Sequence, residues 1–149
     1  MAKFNFRLAS VLRLRESARD DRRAKLAEAY AALQKLEERR AEILRENSSL
    51  LAIQASAARG QVNVDRILDA QRYQAVLQAE LDLLDRQRQV VEAETEKRRS
   101  ALVAADQDVK VIEKLRATQL DRHRQHLAAL DMKQLDEVAS RGTGREEFL

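Results

Sequence analysis

The chain has 149 residues, 36% charged and 44% hydrophobic but only 3% aromatic, with no proline, no cysteine and three glycines. Apolar material of this kind, mostly Ala and Leu, suffices for a thin seam and not for a compact globular core, and a mix led by Ala, Glu, Lys, Leu and Arg favours long or coiled helices. The missing cysteine excludes disulfides, thiolate metal sites and thiol nucleophiles, and the net charge of +3, from 28 basic and 25 acidic residues, marks a near-balanced polyampholyte.

The basic excess lies at the N-terminus, where Lys3, Arg7, Arg13, Arg15, Arg19, Arg22, Arg23 and Lys25 face only Glu16, Asp20 and Asp21. This stretch lacks the apolar core of a signal peptide, and no run approaches the roughly 18 apolar residues of a membrane span. A soluble, cytoplasmic protein is the expectation.

A first helix is predicted over about residues 5–59. From Leu8, alternating steps of four and three give Leu12, Arg15, Arg19, Arg22, Leu26, Ala29, Leu33, Leu36, Arg40, Ile43, Asn47, Leu50, Gln54 and Ala57. A 3.5-residue period held that long is the pattern of a coiled-coil seam. The three arginines break it near the N-terminus, where Val11, Leu14 and Ala18 offer a displaced seam. Asn47 is a polar seam residue of the kind that fixes register at a cost in stability.

A turn is predicted at about residues 60–63, because Gly60 can adopt the left-handed conformation that ends a helix and Asn63 or Asp65 can cap the next. The second helix, about residues 64–141, carries a matching stripe: Ile67, Ala70, Gln74, Leu77, Leu81, Leu84, Arg88, Val91, Thr95, Arg98, Leu102, Ala105, Val109 and Ile112. After Ile112 come two four-residue steps, to Arg116 and Leu120, a stutter that locally unwinds a left-handed supercoil. The fold class expected is therefore all-α, a single elongated domain built as a long two-helix antiparallel coiled-coil hairpin.

Antiparallel partners should have numbers summing to about 122 to 124, which sets Leu8 opposite roughly residue 115. At about 1.5 Å per residue the first helix would be roughly 80 Å long and the second roughly 115 Å. The second helix should therefore overhang from about Leu120, with Leu120, Leu127, Leu130, Leu135 and Val138 on an uncovered apolar face, which is a docking surface by default. Gly142, Thr143 and Gly144 should end the helix and leave a flexible tail over 142–149.

Little here could carry chemistry. There is no glycine-rich phosphate loop, no serine elbow and no Asp-rich cation loop. His123 and His126, three apart on a helix, could supply two metal ligands, but no third stands beside them, so they read as partly exposed seam residues and no metal or cofactor is expected. Glu92, Glu94 and Glu96 interleave with Lys97, Arg98 and Arg99 as solvated faces do, and a two-helix rod has no cleft in which to shift a carboxylate's pKa. The basic N-terminal run lacks the Asn and Arg grouping of a base-reading helix, which argues against nucleic acid. The clustered basic concave side of a membrane-bending rod is also missing. The aromatics are Phe4, Phe6, Tyr30, Tyr73 and Phe148; Tyr30 and Tyr73 either simply flank the seam or, like any exposed aromatic on a charged rod, are candidate contact anchors.

The opening Phe4-Asn5-Phe6-Arg7-Leu8, followed by Val11-Leu12-Arg13-Leu14-Arg15-Glu16, resembles the start of FliJ-family flagellar export proteins, which tend to read F-x-F-x-L-x-x-L-L-x-x-R-x-x-x-E. It departs at the acid, since Glu16 directly follows Arg15 and Arg19 holds the later position. Tyr73-Gln74-Ala75-Val76-Leu77 resembles the family's aromatic position early in the second helix, and Leu135-Asp136-Glu137-Val138-Ala139 its C-terminal L-D-E-x-A pattern.

The resemblance implies a two-helix coiled coil similar to the central stalk of rotary ATPases, without enzymatic activity. It implies that the joined N- and C-terminal end sits in the hexameric flagellar export ATPase, with Phe4, Phe6, Leu8, Leu12, Leu127, Leu130, Leu135, Asp136 and Glu137 facing that partner. Tyr73 and Leu77, with Ile43 and Leu50 alongside by approximate alignment, would face the cytoplasmic domain of the export gate membrane protein. Export chaperones are further implied partners. The expected location is the cytoplasm, peripheral to the inner membrane at the flagellar export apparatus and reached through partners only, and an isolated chain could form a homodimer over its overhang. The competing readings are a generic coiled-coil scaffold, a virulence type III secretion stalk and, behind these, a nucleic-acid binder.

Overall fold

The computed structural model describes the backbone of residues 2–146 and the side chains of residues 2–143. It contains two helices, α1 (Ala9–Ala57) and α2 (Val64–Glu146), packed against each other as a helical hairpin, with no strand among the described residues. The chain's internal contacts divide into two units. One joins the segment up to Arg19 with the segment from Ala104 on, and the other is residues 20–103.

In the 20–103 unit the connection between helices turns at Gly60, whose φ of 76° lies in the left-handed region. A residue bearing a Cβ is strained there, so glycine is the residue that lets α1 stop without a long loop. The Asn63 side chain then accepts a hydrogen bond from the Arg66 backbone N–H at 3.3 Å, satisfying one of the donors that the first turn of α2 leaves open. Of the two capping candidates, Asn63 is the one that does this.

The two predicted stripes form the seam. Ile43, Leu77 and Leu84 make a buried cluster, with Leu36, Leu50 and Leu81 packed against it, and Leu26, Ala29, Ala70 and Thr95 are buried along the same lines. Each buried Leu or Ile contributes about 1.5 to 3 kcal/mol. The ion pairs that border the seam, such as Arg88 with Glu37 at 3.2 Å, are exposed to solvent, which screens them and leaves each worth little. The apolar seam therefore holds this unit, with the exposed charges along its borders. Thr95 enters the seam at little cost because its hydroxyl donates to the Val91 carbonyl at 2.8 Å.

In the other unit α1 starts at Ala9 and not near residue 5, for a physical reason. Residues 2–6 are not helical, and Phe6 is buried with Leu12 and Val109, with Phe4, Leu8, Ala9 and Ile112 packed against them. Pinning Phe6 there takes the chain out of the helical path. The Ala9 N–H then closes a turn onto the Phe6 carbonyl at 3.2 Å. Here too the expected register is kept, with Arg15 paired to Asp108 at 3.4 Å.

At its other end α2 runs through Gly142 and Thr143 to Glu146, where a flexible tail from residue 142 was expected. A helical glycine costs only about 1 kcal/mol relative to alanine. Against that cost, the Thr143 hydroxyl donates back to the carbonyls of Ala139 and Ser140 at 3.3 and 3.0 Å. The last three residues of the predicted tail lie outside the described residues.

Candidate partner-binding surfaces

The unit that holds the N-terminus assembles most of the residues expected to face a partner, but in two different states. Phe6 and Leu12 are core residues, 6% and 8% exposed, so they shape the surface from beneath and do not offer one. Phe4 and Leu8 are half-buried beside them. The Phe4 ring lies 5.5 Å from the His123 imidazole, tilted by 46°, and His123 Nε2 stands 3.3 Å from the Ala2 carbonyl oxygen. His123 thus contacts the N-terminal segment through both its ring face and Nε2. Among the described residues no group of three or more His, Cys, Asp or Glu side chains could hold a metal ion.

This corrects the expectation that α2 is uncovered from Leu120. A non-helical chain advances up to about 3.3 Å per residue against about 1.5 Å in a helix, so five residues can shadow roughly ten of α2. Leu120, His123 and Leu127 are accordingly half-buried.

Beyond Leu127 every described side chain is exposed, including Leu130 at 42%, Leu135 at 65% and Val138 at 68%. Leu127, Leu130 and Val138 follow helical spacing on one face, and Leu135 adjoins it. Asp136 falls half a turn away from Leu127, so it and the leucines do not share one face; Glu137 lies towards the Leu130 edge. Met132, 62% exposed, widens the apolar surface and was not singled out from the sequence.

In the 20–103 unit, the four residues expected on a second interface separate by depth. Ile43 and Leu77 are 0% and 2% exposed and belong to the seam, so neither presents surface to a partner. Leu50 is half-buried and Tyr73 is 47% exposed; with Ile53 and Ala70 they line a hollow of about 300 Å³.

The Tyr73 hydroxyl donates to Glu46 at 2.8 Å, and Glu46 also lies 3.7 Å from Arg39, which bonds Glu80 at 2.8 Å. Donation to Glu46, reinforced by that carboxylate's charge, holds the Tyr73 phenol above its ordinary pKa. The hydrogen bonds to Glu80 and then Glu42 push the Arg39 guanidinium further into its charged form. The result is an exposed aromatic fixed in place by a cross-helix polar network, the form an interface anchor takes.

The model of the flagellar FliJ protein family matches residues 4–147, nearly the whole chain. The chain belongs to the FliJ family. No curated protein and no solved structure gave a match. Membership brings with it a role in flagellar protein export, and among the described residues no helix is long and apolar enough to cross a membrane.

Among the exposed apolar residues of this FliJ-family chain that the seam period does not select are Val76, Leu83 and Val90 on α2. Their seven-residue recurrence was available as a signal. It runs one position out of phase with the seam and is visible only when a second frame of the same period is counted.

Proposed function

We propose that this protein is a non-enzymatic stalk and adaptor of the flagellar type III export apparatus. The exposed apolar stripe from Leu130 to Val138, beside the N-terminal Phe4 to Leu8 segment, engages the hexameric export ATPase. Tyr73 and the hollow around it engage the cytoplasmic domain of the export gate, with export chaperones as further partners. The location is the cytoplasmic side of the inner membrane, held there through these partners. The observation that carries the reading is the coincidence of family membership over residues 4–147 with an α2 end whose apolar residues stay exposed. A helix with a regularly spaced apolar face and no cover is the shape that docks into a groove or a ring.

The test uses substitutions that leave the seam untouched. Leu130→Lys with Leu135→Lys should abolish stimulation of the cognate export ATPase while the helical circular dichroism is retained. Tyr73→Ala should lose gate binding and keep ATPase stimulation. Wild-type stimulation by the double variant would sink the end-on docking, and unchanged gate binding by Tyr73→Ala would remove the second interface.

A further inference from the structure

The 20–103 unit carries a second apolar stripe that the seam does not use. Val76, Leu83 and Val90 recur every seven residues on α2 and are 60%, 51% and 71% exposed, while Leu77, Leu84 and Val91, one residue on, turn into the seam. Towards Val90 this stripe meets small residues on α1. Ala29 and Ala32 carry only methyl groups, so the space between the helices stays open. Ala32, Leu36, Val90 and Val91 line a hollow of about 530 Å³, and it continues into a second of about 560 Å³ floored by Ala29 and Ala93. Together they form an apolar trough.

The charges at its rim are not balanced. Lys35 and Arg86 border one end; Arg22 and Lys97 border a further hollow at the other. Among the described residues none of these four makes an ion pair, although Arg39, Arg40, Arg88 and Arg98 of the same unit each face a carboxylate. The acids nearest the trough, Glu28 and Glu94, are already engaged by Arg98. The apolar floor is thus flanked by cations that lack counter-charges and by anions that already have them.

We propose that this trough receives an amphipathic helix from a partner protein, one that presents small aliphatic side chains to the floor and Asp or Glu to the rim. A third helix laid between two is the ordinary way to cover such a face. From Arg22 to Lys35 is about 20 Å of α1, the length of a helix of three to four turns.

The other occupants fit less well. A second copy on a two-fold axis would bring the same uncompensated cations towards each other. Single-stranded nucleic acid would meet Val and Ala where it needs aromatic rings. The proposal does not depend on the ATPase-facing or gate-facing surfaces.

The test is fluorescence anisotropy of the full chain with two labelled, staple-constrained helical peptides. Both carry the same Ala/Val/Leu face; one has Glu flanks and the other Lys flanks. The Glu-flanked peptide should bind at least about tenfold more tightly than the Lys-flanked one. Val90→Lys, at an exposed position, should keep the helical spectrum and melting temperature yet weaken that binding about tenfold or more. The pair Lys35→Glu and Arg86→Glu should reverse the preference.

Absence of binding by both peptides, equal binding of the two, or binding indifferent to Val90→Lys would overturn the proposal. So would a dimer in sedimentation that Val90→Lys dissolves, which would give the trough to a second copy.

Discussion

Replacing Asn47 by leucine should stabilise the 20–103 unit. Asn47 sits on the seam between Ile43 and Leu50, inside the stretch that packs with Leu77, and its Oδ1 is buried without a hydrogen-bond partner among the described residues. A buried acceptor left unpaired costs about 1 to 3 kcal/mol. Leucine branches at the same atom as asparagine; its methyl groups are bulkier than the planar amide, but Asn47 is only half-buried and the seam edge can take the added volume, so the exchange removes that cost. The expected gain is about 1 to 3 kcal/mol, and for a chain of this size each kcal/mol raises the melting temperature by roughly 2 to 4 °C.

Circular dichroism melts and urea titrations of the two proteins measure this directly. Leu77→Ala, at a position 2% exposed, should move the other way by about 2 to 5 kcal/mol. The polar seam residue has a second effect, on register and oligomeric state. Sedimentation velocity should therefore show Asn47→Leu associating at concentrations where the wild type does not. A leucine variant that melts at or below the wild-type temperature would refute the reasoning, since it would mean that Oδ1 is not an uncompensated group.

Two further outcomes are expected. Gly60→Ala should destabilise by about 1 kcal/mol because its φ of 76° strains any Cβ, whereas Gly142→Ala, in open space within α2, should raise local helicity by a similar amount; hydrogen exchange around each site reads both, and equal signs would contradict the helical path through Gly142. Tyr73 is held above the ordinary phenol pKa of about 10 by Glu46, so its contribution is fully present below that pH and is lost as pH rises through the raised folded-state value. In a Tyr30→Phe background, absorbance titration should therefore show Glu46→Ala bringing Tyr73 back down, and the stability difference between the two proteins should shrink only above about pH 10. An unchanged titration would remove Glu46 as the cause.

The seam was legible because one period covers both helices. Stepping by threes and fours selects Leu26, Ala29, Ile43, Ala70, Leu77, Leu84, Thr95 and Val109, all of them buried. Two features lay beyond that method for different reasons. Ile43 and Leu77 were set on a partner surface by likeness of position to a family pattern, although the period already placed them inward; depth along a helix is decided by the period and not by the likeness. The trough at Ala32 and Val90 depends on which small residue of α1 lies across from which residue of α2, a pairing that needs the register to be correct to within one turn.

Both effects meet at the α2 end. Periodicity identifies its apolar face as far as Val138, and register arithmetic says that α1 cannot cover it. Neither can say that residues 2–6 leave the helix and reach His123 by advancing further per residue than a helix does. The consequence bears on the proposed ATPase docking: cover ends near Leu127 rather than Leu120, and the exposed stripe is the one that starts at Leu130.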